Sequence, residues 1–311
     1  MSSIPTKLEE IPDEEILLSR AIRYNRRKEL SAIIKQVEEK THLQGFAEEA
    51  KACLRILGTG KTNCLNPEDK KEAEKFEYKM KGILTKKSRE FSLDLAEGFI
   101  SHANALYCLA AVKKYWNPTF WHCARVSMFP VMMQGAYKLS QNDAKTLYEA
   151  GLSHADGKVA VPKIIHNKRG KLTKNEWKIM KPGHVENASV ILSELGIAKP
   201  DELVHRIVIE HHENEDGTGY PRGLKRKEIN DLTYTIKIFD VFDALTNPRV
   251  YRAGTFSQRT AADYIYLHSM HNKEMRHYFL KRVSSKGLLK LVGKDNNEYS
   301  NKIMFDGRVG H

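Results

Sequence analysis

The amino-acid sequence predicts an all-α fold, and three observations carry that expectation. Apolar residues recur at three- and four-residue intervals along most of the 311 residues. Helix start signals punctuate those stretches. No run of alternating strands and no βαβ pattern interrupts them.

The elements follow in order. Leu30, Ile33, Ile34 and Val37 share one helical face, and Phe46, Ala50, Cys53, Leu54 and Leu57 share another. GTGKTN (58–63) then breaks the pattern. It resembles the end of a phosphate-binding Walker loop, but the loop's first glycine would fall on Arg55, so a plain loop is expected. Asn66-Pro67 supplies a cap and a first turn for a Lys/Glu-rich helix. WNPTF (116–120) breaks the chain again, and shorter helices follow. Among them Thr173 and Glu176 have the spacing of a capping box. A boundary near residue 114 separates a helical N-terminal region, 1–114, of regulatory or dimerising character, from a second domain, 115–311. The polar tail 284–311 has no functional reading.

Composition narrows the function. Hydrophobic residues make up 41% and charged residues 29%, an ordinary mixture for a packed core. The longest apolar run, LYCLAAV, is far short of the ~20 residues of a membrane span. The polar N-terminus lacks the layout of a secretory signal. Cys53, Cys64, Cys108 and Cys123 form no CxxC pair and suit reduced thiols, so a cytoplasmic location is expected. Net charge is +12, and residues 115–311 hold 30 Lys and Arg against 21 Asp and Glu. That excess suits a phosphate-bearing ligand. A nucleic-acid partner is not expected, because no motif interleaves aromatic and basic residues.

The 13 histidines are the chemical signal. His122, His154, His184, His211 and His212 fall about one per helix or helical hairpin, and a helical bundle can aim one side chain from each helix at a shared centre. Imidazoles with carboxylates bind first-row transition metals. Asp240 sits in the apolar run IFDVFDALT, where a carboxylate is costly unless neutralised. Asp243, about one turn on, supports or replaces it. A lone helical histidine is usually a cap or a surface residue, so the other eight stay unassigned. His211 and His212 diverge by about 100° on a helix and so reach two metals, or one metal and a substrate.

HHENEDGTGYPRGL (211–224), followed by IFDVFDALTNPRVYR, closely resembles the signature of the HD-GYP family of cyclic dinucleotide phosphodiesterases. HCARV (122–126) resembles its first-histidine helix, and SHADGKVAVPKII (153–165) aligns without a gap on its HDxGK segment. The resemblance covers roughly 116–270. It implies a helical HD-type domain with two divalent metal ions, iron or manganese. It also implies hydrolysis of cyclic di-GMP, or a related cyclic dinucleotide, by water that the metals activate. Carried over position by position, His122, His154, His184, His211, His212 and Asp240 match metal ligands. Lys158 matches the lysine that faces the phosphate. Gly219, Tyr220 and Pro221 match the GYP loop beside the substrate, and Arg249 and Arg252 match the RxYR pair, where an ion-pair role competes with ligand contact. A diguanylate cyclase (GGDEF) domain is the protein partner the resemblance suggests, with a homodimer as a further assembly.

The pattern also departs from the family. The residue after His154 is Ala155, where the family has the aspartate that bridges the metals, and Asp156 comes one place later. That change threatens the second ion more than the fold, and it opens the alternative of a degenerate module that binds without cleaving. Pro118 stands where members with three metals carry a glutamate, so a third ion is not expected. Pro182-Gly183 takes the place of a single residue ahead of His184, which leaves that ligand's placement open.

Overall fold

The computed structural model describes residues 27–40, 42–61, 66–80, 84–137, 139–248, 254–257, 260–261 and 264–265. They include the helices α1 (27–39), α2 (Gln44–Thr59), α3 (Pro67–Met80), α4 (Lys86–Ser101), α5 (Ala103–Tyr115), α6 (Asn117–Tyr137), α7 (Gln141–Ser153), α8 (Lys163–His166), α9 (Lys174–Glu194), α10 (Leu203–Glu210) and α11 (Asp231–Thr246), with further helical residues at 260–261 and 264–265. Two short 3-10 turns, Asp156–Ala160 and Arg226–Glu228, complete them. No β-strand occurs among the described residues, only an isolated bridge between Asp216 and Lys225. The all-α expectation holds.

Local chemistry sets the ends of these helices. Asn66 Oδ1 accepts from Asp69 N at 2.9 Å and opens α3, with Pro67 in its first turn. Thr173 and Glu176 form the reciprocal capping box that opens α9. Gly58 and Thr59 still belong to α2, and Gly60 ends it at φ 72, a left-handed conformation that glycine adopts without strain. Trp116 caps α5 and Asn117 starts α6, so WNPTF is the break it was expected to be. Pro130 in α6 and Pro182 in α9 each remove an i→i−4 hydrogen bond.

Two apolar clusters hold the helices together. The first gathers Leu54, Phe76, Phe99, Leu109 and Val112 with Phe120, Trp121 and Cys123, and runs without interruption across residue 114. The second lies between α6, α7, α9, α10 and α11, where Phe129 stacks on Phe239 at 4.4 Å. Helix α6 serves both and packs most extensively on α7. A buried polar tie reinforces the first: Asp69 accepts from Lys113 Nζ at 2.6 Å and from Trp121 Nε1 at 2.8 Å. Breaking such a pair by removing one partner typically costs about 3–5 kcal/mol. No single described helix is long and apolar enough to cross a membrane.

Helices α7 and α10 place their C-termini side by side over α6, α9 and α11. His154 caps α7 and His211 caps α10, while His122, His184 and Asp240 project from the other three helices.

Candidate metal centre

Six of the residues singled out from the sequence meet in one buried place. His122, His154 and Asp240 offer ligand atoms within 4.8 Å of one another, and so do His184, His211 and His212. The two triads adjoin, with ring centroids of His154 and His211 5.3 Å apart.

Hydrogen bonds on the far side of each ring fix which nitrogen faces inward. His122 donates Nδ1–H to Asp243 Oδ2 at 2.7 Å. His154 donates Nδ1–H to the Gly151 carbonyl at 2.9 Å, and His211 does the same to Val208 at 2.8 Å. His184 uses Nε2–H on the His154 carbonyl at 3.1 Å. A neutral imidazole that donates from one nitrogen carries a lone pair on the other. Those other nitrogens face each other. His154 Nε2 is 3.1 Å from His122 Nε2, which is 2.9 Å from Asp240 Oδ1, and His184 Nδ1 is 3.2 Å from His212 Nε2. His211 Nε2 is buried without a hydrogen-bond partner.

Lone pairs so close repel unless a proton or a cation lies between them. Donor atoms ~2.1 Å from a common ion stand ~3.0–3.4 Å apart, close to the 2.9, 3.1 and 3.2 Å of three pairs here, while His154 Nε2 and Asp240 Oδ1 are 3.8 Å apart. The residues therefore fit a pair of transition-metal ions. Electrostatics agree. Burial pushes the pKa of His154 and His184 well down and that of His211 down to about 4, so the rings are neutral near pH 7. Burial alone would raise Asp240, but the His122 contact and the neighbouring imidazoles hold it well below the usual carboxylate range.

Asp156 does not take the place of the missing bridge. The chain leaves α7 at Ser153 and enters a 3-10 turn, which directs the Asp156 side chain to Cys108 and Ser153. Its Oδ1 is buried without a partner, and burial pushes its pKa up to about 8. Ala155 is buried within the first apolar cluster. The extra residue ahead of His184 is absorbed in α9, and His184 reaches its triad.

The centre opens into a cavity of about 940 Å³. Lys158, His184, His212, Tyr220 and Asp240 line its floor, and Trp116, Pro118, Trp177, Lys168 and Lys171 line its walls. Tyr220 stacks on His212, centroids 4.8 Å apart and planes 18° apart, and donates its backbone N–H to the His212 carbonyl at 3.3 Å. Burial raises the Tyr220 phenol, so it stays neutral. Lys181 on α9 stands over both Tyr220 and Trp177, 5.2 and 5.8 Å from the ring centroids.

Two glycines are dictated by close approach. A Cβ on Gly157 would lie 1.9 Å from the His184 carbonyl oxygen, and one on Gly219 2.2 Å from Asn214 N. Pro221 follows Tyr220 in the same loop, while Arg249 and Arg252 lie outside the described residues.

Several supporting residues were not singled out from the sequence. Arg125 holds Asp243 through Nε at 2.6 Å, and the Glu213 carboxylate accepts from Arg222 N at 2.6 Å and Leu224 N at 3.0 Å, pinning the GYP loop. Glu213 directly follows the paired histidines, so its position in HHE was the available signal. His102, His166 and His205, left unassigned, are a helix cap, a partner of the Lys158 carbonyl and a partner of Ser189.

Helices that gather four buried imidazoles, a fifth half-buried one and a carboxylate at one cavity form a candidate metal site of the HD type. The chain belongs to the HD domain family, whose model matches residues 117–273. It is 34% identical over 161 residues to cyclic di-GMP phosphodiesterase PA4108 of Pseudomonas aeruginosa, covering 52% of this chain and 38% of that protein. It is 32% identical over 208 residues to 3'3'-cGAMP-specific phosphodiesterase 2 of Vibrio cholerae, covering 67% and 38%. A cyclic di-GMP phosphodiesterase of Thermotoga maritima is 30% identical over 170 residues, covering 55% and 45%. The chain thus spans less than half the length of these relatives. The solved structure of Bd1817, an HDG"Y"P protein from Bdellovibrio bacteriovorus, aligns with a TM-score of 0.44 at 16% identity, over 68% of this chain and 76% of that one. The HD-GYP resemblance read from the motifs stands.

Proposed function

We propose that the chain is a metal-dependent phosphodiesterase that hydrolyses a cyclic dinucleotide, with cyclic di-GMP the first substrate to test. The observation that carries this reading is the set of inward lone pairs on His154, His184 and His211 beside Asp240, at the floor of a cavity that also presents Lys158. His122, His154 and Asp240 would hold one divalent ion, and His184, His211 and His212 the other, with iron or manganese preferred. Bound there, such ions neutralise phosphate charge and lower the pKa of water.

The protein's own groups have distinct tasks. Lys158 offsets the charge that builds on phosphorus during attack. Tyr220, Trp116 and Trp177 offer flat faces to the bases, and Lys168 and Lys171 attract the second phosphate. Gly219 and Pro221 shape the rim, and Arg249 and Arg252 belong to the proposed substrate contacts. Names of the relatives support the substrate class, since each acts on a cyclic dinucleotide. A cytoplasmic location, a homodimer and a GGDEF-domain partner at the GYP loop complete the proposal.

The test incubates purified protein with Mn²⁺ or Fe²⁺ and cyclic di-GMP and resolves linear products by chromatography. Cleavage that depends on His211 and Lys158 supports the reading. Tight binding without cleavage turns it to a second one, a binding module, which the absence of a carboxylate at Ala155 favours. Ala155→Asp separates the two. A rise in turnover with a second equivalent of metal assigns the defect to the missing bridge, and two metals without faster turnover exclude that cause.

A further inference from the structure

Within the N-terminal region, helix α3 reaches the residues that stand behind His122. On α3, Ala73, Phe76 and Met80 enter the apolar core. A second stripe, Glu68, Glu72, Lys75 and Lys79, stands one residue ahead of Asp69, Ala73, Phe76 and Met80 at each position and is rotated from them by about 100°. Three members of that stripe, Glu68, Glu72 and Lys75, line the cavity.

Two of the stripe's residues, seven apart and so on one face, grip what holds Asp243. Glu72 Oε2 accepts from Arg125 Nη1 at 3.2 Å. Arg125 in turn donates to both carboxylate oxygens of Asp243, at 2.6 and 3.1 Å. Lys79 Nζ donates to Asn247 Oδ1 at 2.8 Å and to the Thr246 carbonyl at 3.2 Å. Asn247 Nδ2 donates to Asp243 Oδ1 at 2.8 Å. Asp243 Oδ2 then accepts from His122 Nδ1 at 2.7 Å. Both chains of contacts end on the ring whose Nε2 faces Asp240 and His154.

We infer that Glu72 and Lys79 of α3 are positioning residues for the His122–His154–Asp240 subsite, so that this helix sets the affinity of one ion and not of the other. The inference rests on the two-ion reading above. Residue 72 and residue 79 lie outside the stretch matched by the HD domain model, which begins at 117. Packing of α3 uses its apolar stripe and the Asp69 tie, and neither involves Glu72 or Lys79. An outer-shell partner is worth ~10–100-fold in metal affinity, and Glu72 and Lys79 stand one contact further out than Asp243, which places their effect near the lower figure. In the other subsite, His184 and His211 take outer contacts from the backbone carbonyls of His154 and Val208 rather than from α3.

The experiment measures manganese equivalents retained by the full chain after dialysis against a graded series of chelator, for wild type, Glu72→Gln, Lys79→Met and Lys79→Arg. Circular dichroism and thermal melts on the same samples show that each variant is folded. Wild type is expected to lose its metal in two steps. In Glu72→Gln and Lys79→Met one step moves to about 10-fold less chelator and the other stays within about 2-fold, while Lys79→Arg behaves as wild type. Two unmoved steps, or two steps that move together, overturn the assignment and leave the two-ion reading intact. A wild type that retains no manganese overturns that reading and this inference with it.

Discussion

Replacing Asp243 by asparagine tests the electrostatic logic of the site. The carboxylate is buried and accepts from His122 Nδ1, from Arg125 twice and from Asn247 Nδ2, within 2.6–3.1 Å. Burial opposes its charge, yet the Arg125 guanidinium and His122 hold its pKa far below the usual value. Asparagine keeps the shape but removes the negative charge, and its NH₂ can only donate where two donors already point. Arg125, itself buried, is left with Glu72 as counter-charge. Loss of one partner of a buried pair costs about 3–5 kcal/mol. At ~2–4 °C per kcal/mol for a chain of this size class, the melting temperature should drop by roughly 10 °C. The affinity for metal should fall ~10–100-fold, because the His122 ring loses the contact that fixes its tautomer. Differential scanning calorimetry and metal titration read the two effects. A variant within about 1 kcal/mol of wild type and with unchanged metal content refutes the claim that Asp243 organises the site.

Gly157→Ala should destabilise by about 3 kcal/mol or more, because its Cβ meets the His184 carbonyl oxygen at 1.9 Å and α9 must shift. Denaturant midpoints should show the loss, and metal analysis should show weaker binding at the His184 triad. Asp156 gives a pH signature. Its folded pKa is raised to about 8, so the native state holds a proton that the unfolded state releases near pH 4. Wild type therefore loses stability as pH rises from about 4 to 8, by up to ~1.4 kcal/mol per unit, and Asp156→Asn does not. The stability gain of that variant, measured by melts of metal-free protein, should grow across this window; a gain independent of pH refutes the assignment. One half-buried and one buried histidine act in the other direction. His166 and His211, both lowered to about 4, destabilise as pH falls from 6.5 towards 4.

Much of this was legible in the residues because it is local. Period-3.6 apolar spacing located α1 and α2, and Asn66-Pro67 and Thr173/Glu176 located the starts of α3 and α9. The six candidate ligands were legible because their motifs occur in a fixed order with characteristic neighbours. What escaped is long-range. Glu72 meets Arg125 across 53 positions and Lys79 meets Asn247 across 168, and no window of sequence relates such pairs. The continuity of the apolar core across residue 114 is of the same kind, since it depends on how α5 and α6 pack rather than on either helix alone. The direction of Asp156 escaped for another reason. It depends on where α7 ends: the chain turns at His154 and carries the side chain towards Cys108.

The Glu213 carboxylate, by seizing two amides of the segment beyond Tyr220, ties the rim to the chain directly after the paired imidazoles, where Tyr220 stacks on His212. Entry of a bulky guest cannot widen that side without tilting His212. Any accommodation must come from across the opening, where α3 and the 165–172 stretch stand. Breadth of guest would then be decided on the side of α3 and the 165–172 stretch, and placement against the imidazoles on the side that Glu213 ties.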